Sequence, residues 1–491
     1  MTGSNVAGIT SYGGYVPRLR LSRKAIADAN KWFNPSLAGQ AVGERSMANW
    51  DEDSVTMAVE AARDCLAGTS REAVDALYFA STTMPFSDRQ NAAIVATALA
   101  LREDIPSLDV TSSMRAGSSA LLQALTAVQG GAAETALVTA GEHRKTRAGA
   151  VQEMRFGDAG AAFTVGTGDT IANLLGSHSL TIDFVDHFRG EGAEIDYSWE
   201  ERWIRDEGYS KIVPRAIAGA LEKSGVGAAD IAHFVMPCVF PRLPEKIARG
   251  CGIDGEAVHD TLHGVCGEAG TAHSLVMLSH ALEQASPGEK ILAVSFGQGC
   301  DAMVLETTGL LPAVQSARRG ISGSLERRRP EENYMKWLAF NGLVDMELGM
   351  RAETDNRTPL TVLYRKHDMI EGFIGGKCAE CGTLQYPRTR ICVNPECKAV
   401  DTQQPYSMSE QRGTVQSWSA DFLTYSPDPP QHYGMIVFEE GGRLMMDFTD
   451  VDPGTIDSGT AVRLAFRIKD FDRRRGFRKY FWKAIPDTGA A

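Results

Sequence analysis

Long apolar runs are missing from this sequence. No stretch of about 18 apolar residues occurs, so we expect no membrane-spanning helix. Residues 1–14 are rich in glycine, uncharged but for the terminus and without an apolar core, so we expect no secretory signal peptide. The sequence therefore predicts a chain that neither spans nor inserts into a membrane.

An excess of positive charge is missing as well, and cysteines are few. The formal net charge is -12, which argues against nucleic acids and anionic membranes as general partners. The chain has nine cysteines, and four of them belong to the motif described below. The remaining five are an odd number, which fits a reducing cytoplasm better than a disulfide framework.

What is present is the composition of a globular protein with several domains. The chain has 491 residues, of which 43% are hydrophobic and 23% charged. A single hydrophobic core rarely grows to this length, so we expect two to four domains.

The first 310 residues contain an internal repeat. An apolar strand, the helix before it, a glycine-rich helix start after it and a second strand all recur in the same order in the second half. Apolar strands that alternate with helices imply sheets buried on both faces, and two such halves imply a duplicated, layered α/β core. The paired segments are 57–66 and 213–221, 75–80 and 231–236, 116–121 and 269–274, and 136–140 and 291–295.

Four cysteines with the spacing C-x2-C-x10-C-x4-C predict a zinc site. Two such pairs can close a tetrahedron of thiolates around one Zn²⁺. Gly382 follows the first pair, and Asn394-Pro395 lies inside the second, where the turns must be tight. Four protein ligands leave no open coordination position, so we expect a structural metal. The ligands would be Cys378, Cys381, Cys392 and Cys397.

The residues after the cysteines are typical of a small antiparallel barrel. Short strands are predicted at 414–418, 435–440, 443–448 and 462–468, with Gly441-Gly442 as a hairpin turn. Several such strands in so short a segment suit an OB fold. The basic and aromatic tail 473–483 could stack on and neutralise a nucleic acid. It could equally hold a phosphorylated nucleotide such as coenzyme A, or form an edge strand. The predicted domains are 1–167 and 168–310 for the two core halves, 311–360 for a helical linker, 361–402 for a zinc ribbon and 403–491 for the OB fold.

These features together resemble a known family. The duplicated core is similar to the thiolase superfamily, within it to the branch of 3-hydroxy-3-methylglutaryl-CoA synthase and ketoacyl synthase III. The segment after Cys378 resembles the DUF35-type zinc ribbon and OB fold. The resemblance implies a five-layered core, an acyl-CoA thioester as substrate and a homodimer formed through the core. The motifs that carry it are 109–117, 156–162, 267–272 and 295–300.

Several family residues are replaced in this sequence. The family's acyl-carrying cysteine corresponds to Met114, and a thioether can neither ionise nor be acylated. The family's glutamate, histidine and asparagine correspond to Thr82, Pro237 and Glu268. The glycine-rich turns remain, and their backbone amides could stabilise a thioester enolate. We expect the substrate pocket to include Thr82, Met114, Pro237, Gly297, Gln298 and Gly299.

The resemblance therefore favours an aldol or retro-aldol reaction on a β-hydroxyacyl-CoA. Such a reaction needs an oxyanion site and a proton-transfer group but no acyl-enzyme. Related thiolase-fold proteins that pair with OB-fold partners run retro-aldol steps on CoA thioesters. Glu268 is the predicted proton-transfer group, and His273 is a second candidate, with His263 a weaker one.

Three other functions stay open. Cys238 or Cys266 could replace the missing thiol in a Claisen-type acyltransferase, although free cysteines are most often buried packing residues. The chain could also be a non-catalytic subunit that binds a second, catalytic enzyme subunit. A nucleic-acid-binding role is disfavoured by the net charge. The aromatic stretch 183–209 could line a pocket for a bulky acyl group, although such stripes are more often core.

Overall fold

The computed structural model describes residues 6–347 and 357–487. No helix within these ranges combines the length and the apolar character needed to cross a membrane. The described chain divides into two compact units. Unit 1 comprises the residues up to Asn49, Asp53–Ala93 and Arg102–Leu343. Unit 2 comprises Trp50–Glu52, Ile94–Leu101 and the described residues from Val344 onward.

Strands and helices alternate through the first 343 residues. The strands are β1 (Gly8–Tyr15), β2 (Leu19–Ser22), β3 (Glu44–Met47), β4 (Ala76–Ala80), β5 (Ser107–Val110), β6 (Ala136–Glu142), β7 (Ala159–Gly166), β8 (Ala172–Thr181), β9 (His187–Phe188), β10 (Tyr197–Ser198), β11 (Ile231–Val235), β12 (Lys290–Phe296), β13 (Gly299–Thr307) and β14 (Arg329–Glu331). The helices are α1 (Arg23–Asn30), α2 (Ser54–Cys65), α3 (Asn91–Ala98), α4 (Ala116–Gln129), α5 (Val151–Arg155), α6 (Glu201–Trp203), α7 (Ser210–Ser224), α8 (Leu243–Gly250), α9 (Gly270–Gln284), α10 (Leu311–Ala317), α11 (Gly320–Glu326) and α12 (Tyr334–Phe340).

Nine strands of unit 1 form one sheet in the order β11-β12-β13-β8-β1-β7-β6-β4-β5. The two halves meet where β1 pairs with β8, and each half arranges its strands in the same order. The outermost strand of the first half is β5, but its counterpart in the second half is reduced to one parallel bridge between Phe234 and Val258. This symmetry confirms the predicted duplication.

Helices cover both faces of each half in five layers. Helix α2 packs on one face of β1, β6 and β7, and the central helices α4 and α9 pack on the other. Helix α9 also contacts β11 and β12, while α7 covers β8 and β13. Gly117 lets the central helices approach, because a Cβ there would lie 2.5 Å from the carbonyl oxygen of Thr271. The predicted layered α/β core is therefore present.

The local sequence determines where helix α2 begins. Asp53 accepts a hydrogen bond from the Thr56 amide at 3.0 Å, and the Thr56 hydroxyl accepts one from the Asp53 amide at 2.8 Å. This capping box satisfies two donors that a helix start otherwise leaves unpaired. The following apolar residues, such as Val55 and Val59, are fully buried.

The segment predicted as a helical linker packs largely with the core. Residues 311–343 belong to unit 1, where Ile321 of α11 and Trp337 of α12 are buried. The segment is helical at α10, α11 and α12, with the short strand β14 between the last two helices. Residues 348–356 of the predicted linker lie outside the described residues.

Unit 2 contains two small sheets. Its ribbon sheet has the order β16-β15-β17, and its barrel sheet has the order β20-β19-β18-β21-β22. The aromatic rings of Phe466 and Trp482, 5.4 Å apart, lie in the barrel core. The elements are α13 (Leu360–Arg365), α14 (His367–Ile370), β15 (Ile374–Cys378), β16 (Leu384–Gln385), β17 (Gln403–Ser407), β18 (Gly413–Asp421), β19 (Gln431–Phe438), β20 (Arg443–Asp447), β21 (Ala461–Asp472) and β22 (Phe477–Pro486).

The basic tail forms the edge strand β22, and two of its lysines have acidic partners. Lys479 lies 2.7 Å from Asp470, and the buried Lys483 lies 2.8 Å from Asp51. Both ammonium groups are therefore paired with carboxylates of unit 2. Of the interpretations of the tail, the edge strand is the one that these described contacts support.

A buried ion cluster occupies the same unit. The guanidinium of Arg467 lies 3.0 Å from Asp450, 3.2 Å from Glu52 and 3.7 Å from Asp51, and all these side chains are almost fully buried. Buried charges are costly unless they are paired and hydrogen-bonded. Arg467 consequently compensates several carboxylates at once.

We expect Arg467→Met to destabilise unit 2 by roughly 3–5 kcal/mol, because it leaves buried carboxylates without their partner. Chemical denaturation followed by circular dichroism measures the change. Arg443→Met, at an exposed position of β20, is the matched control and should change stability by less than about 1 kcal/mol. Equal stability of the two variants would contradict the compensating role of Arg467.

Candidate active site

Met114 stands just before the central helix α4. Ser112 adopts a left-handed backbone conformation with φ of 70°, and the Ser113 hydroxyl donates to the carbonyl of Gly297 at 2.7 Å. The Thr271 hydroxyl donates to the Ser113 carbonyl at 3.0 Å. A Cβ at Gly297 would lie 3.0 Å from the Met114 nitrogen, so glycine is needed there. The turn is thus held against both halves of the core.

The Met114 amide is a free donor at this turn. No described residue accepts a hydrogen bond from it, and Met114 lines a cavity of about 190 Å³ in unit 1. An unpaired amide at a helix N-terminus favours negative charge. The cavity is lined by Met114, Arg144, Gln152, Arg155, Phe156, Asp186, His187, Ser198, Trp199, Glu201, Ile204, Tyr209, Pro237, Cys238, Val239, Phe240, Glu268, Gly270, Ser295 and Phe296.

Glu268 lies in this cavity and is linked through Arg144 to a second carboxylate, Asp196. Its Oε2 accepts from Nη1 of Arg144 at 2.8 Å, and the same guanidinium donates to Oδ2 of Asp196 at 2.6 Å. The guanidinium also lies 3.6 Å from the centre of the Phe156 ring. Burial opposes the charge of Asp196, but Arg144 outweighs it and lowers the pKa of Asp196. Arg144 therefore orients both carboxylates through charge-assisted hydrogen bonds.

Glu142 at the end of β6 was missed by the sequence analysis. It is fully buried and accepts hydrogen bonds from the Thr82 amide at 3.0 Å and the Thr82 hydroxyl at 3.1 Å. It also accepts from the Thr271 amide at 3.3 Å, near the start of α9. Burial raises its pKa. Glu142 ties Thr82 to the core, and Thr82 itself does not line the cavity.

Arg115 and Asp301 form hydrogen bonds that hold the Met114 turn in place. Nη1 of Arg115 donates to Asp301 Oδ1 at 2.8 Å, and the Ser118 and Ser119 hydroxyls donate to Oδ2 at 2.9 and 2.6 Å. Nε of Arg115 donates to the Gly297 carbonyl at 3.1 Å. Because Asp301 lies in β13, 186 residues after Arg115, only the folded structure reveals this support.

The two candidate cysteines differ in position. Cys238 lines the cavity, whereas Cys266 is fully buried outside it, with its Sγ 3.4 Å from the Leu262 carbonyl oxygen. Burial raises the pKa of the Cys238 thiol to about 12, and it raises that of Cys266 to about 12 as well. A thiol of this pKa is a poor source of nucleophilic thiolate at neutral pH.

The candidate histidines lie outside the cavity. His273 of α9 is fully buried, its Nδ1 accepts from the Ala269 amide at 3.2 Å and its Nε2 lies 2.8 Å from the Thr261 carbonyl oxygen. Burial lowers its pKa. His263 packs against it, and burial lowers the pKa of His263 to about 3. Both rings have the contacts of packing residues.

Of the remaining predicted pocket residues, one lines the cavity and three do not. Pro237 lines the cavity, but Gly297, Gln298 and Gly299 form the tight β12–β13 turn behind it. A Cβ at Gly299 would lie 1.9 Å from the Leu180 carbonyl oxygen. The structure therefore brings Met114, Pro237, Cys238 and Glu268 together, while Thr82, Cys266, His273 and the Gly297–Gly299 turn stand around them.

The aromatic stretch 183–209 supplies a wall of the cavity. It forms the β9–β10 hairpin and then α6, a π-helical turn at Ile204–Tyr209 and the start of α7. Trp199 and Tyr209 line the cavity, and Trp203 stacks on Phe184 with ring centres 5.8 Å apart. The sequence analysis left this stretch open between pocket and core, and it contributes to both.

The four cysteines of unit 2 converge as the spacing predicts. All four Sγ atoms lie within 4.8 Å of one another, with 3.9 Å between Cys378 and Cys397 and 3.6 Å between Cys381 and Cys392. A tetrahedron with Zn–S bonds of about 2.3 Å separates its sulfurs by about 3.8 Å. The geometry is compatible with a zinc ribbon.

Two family models match the chain. Residues 221–307 match the C-terminal model of 3-oxoacyl-[acyl-carrier-protein] synthase III, and residues 407–467 match the C-terminal OB-fold domain of ChsH2. These matches confirm the predicted fusion of a thiolase-like core with an OB-fold domain.

Curated proteins of known function also match the core. The hydroxymethylglutaryl-CoA synthase of Methanocella arvoryzae is 33% identical over 317 residues, which cover 63% of this chain and 90% of that protein. The same enzyme of Methanopyrus kandleri is 30% identical, with 67% of this chain and 95% of that protein covered. A solved HMG-CoA synthase complexed with CoA aligns with a TM-score of 0.60 at 20% identity, covering 70% of this chain and 92% of that one.

We expect the purified protein to carry one zinc ion per chain, and Cys381→Ser to lose most of it, because three thiolates hold zinc less tightly than four. Inductively coupled plasma mass spectrometry measures the metal. Cys251→Ser, a half-buried cysteine of unit 1, is the control and should keep it. Equal metal content in both variants would refute the site.

Proposed function

Since this chain belongs to the hydroxymethylglutaryl-CoA synthase family, we propose that it makes or breaks a carbon–carbon bond in an acyl-CoA by aldol chemistry. The substrate would be a β-hydroxyacyl-CoA, cleaved to an acyl-CoA and an aldehyde or ketone, or formed from them. No acyl-cysteine intermediate would be needed. The coenzyme A moiety enters as part of the substrate.

The observation that carries this proposal is Met114. It stands at the start of α4 and faces the cavity, at the position that corresponds to the family's acyl-carrying cysteine. A thioether cannot attack a thioester and leave as an acyl-enzyme. What remains at that position is the backbone amide, which has no acceptor among the described residues.

That amide suits the oxygen of a thioester enolate. Retro-aldol cleavage leaves the electron pair of the broken bond on the α-carbon, from where it delocalises onto the thioester oxygen. A preorganised N–H donor at the helix N-terminus stabilises this charge as it develops. An acyl-enzyme would have no part in such a step.

Glu268 is the proposed proton-transfer group at the α-carbon. It lies in the same cavity, and Arg144 donates to its Oε2 at 2.8 Å, which fixes the orientation of the carboxylate. In the condensing direction it would accept the α-proton, and in cleavage it would return a proton to the enolate carbon. Zinc in the closed ribbon would be structural and take no part.

Names of solved relatives support the substrate class. One is HMG-CoA synthase complexed with CoA, and another is MvaS in complex with 3-hydroxy-3-methylglutaryl coenzyme A, which is itself a β-hydroxyacyl-CoA. We also propose a homodimer through the core, a possible second enzyme subunit and a cytoplasmic location. The last fits the observation that none of the nine cysteines, all of which are described, forms a disulfide.

A Claisen-type acyltransferase is the second candidate, because Cys238 lines the cavity. Its high pKa weighs against it. An acyl adduct on the protein that disappears in Cys238→Ser would establish this alternative.

We expect the protein to gain no mass on incubation with acetyl-CoA, and Met114→Cys to gain one acetyl group. A thiol at this position would stand at the N-terminus of α4, which stabilises the thiolate. Intact-protein mass spectrometry makes the comparison. Labelling of the unmodified protein would contradict the role assigned to Met114.

We expect Glu268→Gln to lower kcat for cleavage by roughly 10²–10⁴-fold, the usual contribution of a proton-transfer group. The assay offers a panel of β-hydroxyacyl-CoA thioesters and detects acetyl-CoA or propionyl-CoA by mass spectrometry. Glu256→Gln, an exposed carboxylate outside the cavity, is the control. Full activity of Glu268→Gln would exclude Glu268 as the proton carrier.

A further inference from the structure

Two adjacent side chains of the cavity wall have no role in the chemistry described so far. Asp186 and His187 begin the β9–β10 hairpin, and both line the cavity that contains Met114 and Glu268. Nδ1 of His187 lies 3.1 Å from Oδ2 of Asp186. A carboxylate beside an imidazole is the arrangement that orients a histidine for proton transfer.

The second oxygen of Asp186 has no hydrogen-bond donor in the described part of the chain. The residue is 9% exposed, and its Oδ1 is buried without a hydrogen-bond partner among the described residues. A buried carboxylate oxygen without a donor is costly and calls for an explanation. A donor brought by a bound molecule, such as a hydroxyl group, would satisfy it.

The hairpin holds the pair in place. Ser198 pairs with His187 across the two strands, and the Trp199 amide donates to the Asp186 carbonyl at 2.9 Å. Asp196, at the end of the same hairpin, is held by Arg144 and by Arg189, whose Nε lies 3.2 Å away. Arg144 also holds Glu268, so one guanidinium fixes both the hairpin and the proposed α-carbon group.

The aldol reaction requires a proton transfer that Glu268 alone leaves unassigned. Besides the proton at the α-carbon, the β-hydroxyl group must lose its proton as the carbon–carbon bond breaks. Imidazole is the side chain most often used as a general acid–base, and Glu268 is already paired with Arg144 and assigned to the α-carbon.

We infer that His187 is the catalytic acid–base at the β-oxygen of the substrate, and that Asp186 is its positioning residue. This inference rests on the proposed aldol function. In cleavage, Nε2 of His187 accepts the hydroxyl proton, the oxygen electrons form the carbonyl, and the bonding pair passes to the thioester enolate. The imidazolium then returns this proton, by way of Glu268, to the α-carbon, so that no external reagent is consumed.

The test separates the two proton transfers. Exchange of the α-protons of acetyl-CoA in D2O requires the enolate site and Glu268 but no base at the β-oxygen. Cleavage of a β-hydroxyacyl-CoA requires all three. Mass spectrometry follows both reactions, with 3-hydroxy-3-methylglutaryl-CoA and a panel of other β-hydroxyacyl-CoA thioesters as the cleavage probes.

We expect His187→Gln to lower kcat for cleavage by roughly 100-fold or more while it keeps the α-proton exchange of the unmodified protein. Glu268→Gln should lose both reactions. Retained exchange also shows that the His187 variant is folded. His280→Gln, on α9 outside the cavity, is the matched control and should keep both.

Asp186→Asn should lower kcat with little change in KM, and Asp186→Glu should recover part of the loss. A residue that only supported the fold would not give this separation. Asp206→Asn, an exposed aspartate of the same stretch, is its control.

Each outcome decides between the proposals. Cleavage by His187→Gln at the unmodified rate would overturn this inference and leave the proposed function intact. Absence of both cleavage and exchange in the unmodified protein would overturn the proposed function and this inference with it. Loss of both reactions in His187→Gln, with an unchanged circular dichroism spectrum, would overturn the assignment of His187 to the β-oxygen alone.

Discussion

The site depends on the close packing of the two central helices. Gly117 of α4 leaves no room for a side chain against the Thr271 carbonyl of α9, so the starts of both helices lie side by side. Met114 lies just before the start of α4, and Glu268 lies just before the start of α9. Duplication of the fold thus places an unpaired amide and a carboxylate at one cavity. Any side chain at Gly117 would have to separate the helices, and the cavity would lose its geometry with them.

Arg144 organises the charges around this cavity. Its single guanidinium holds Glu268 on one side and Asp196 of the hairpin on the other, over the ring of Phe156. Without it, two buried carboxylates would lose their ion-pair partner, which is costly in free energy. With it, the pKa of Asp196 is lowered although burial opposes the charge, and the Glu268 carboxylate is held in orientation. Arg144 therefore couples the position of the hairpin to that of the proposed α-carbon group.

The sequence predicted much of the fold because its signals were local and repeated. Apolar strands, glycine-rich helix starts and the cysteine spacing each act over a few residues, and each predicted strand appears within four residues of its predicted bounds. Met114, Pro237, Cys238 and Glu268, which the sequence analysis singled out, line one cavity. Glu142, Arg115 and Asp301 were not found, because their partners are distant in sequence and nothing in their local pattern distinguishes them from surface charges. The positions of Cys266 and His273 depend on burial, which residue type alone does not reveal.

Replacing a thiol by a thioether changes what the helix start can do. A thiolate at the N-terminus of α4 would bring a negative charge close to the enolate oxygen and would compete for the same dipole. Met114 carries no charge, so the amide and the helix dipole remain available to the substrate alone. The same exchange removes the covalent step, and proton transfer then has to occur between the protein and a freely bound thioester. A cavity with two separately held proton-transfer groups, rather than one nucleophile with its base, is the arrangement that such chemistry requires.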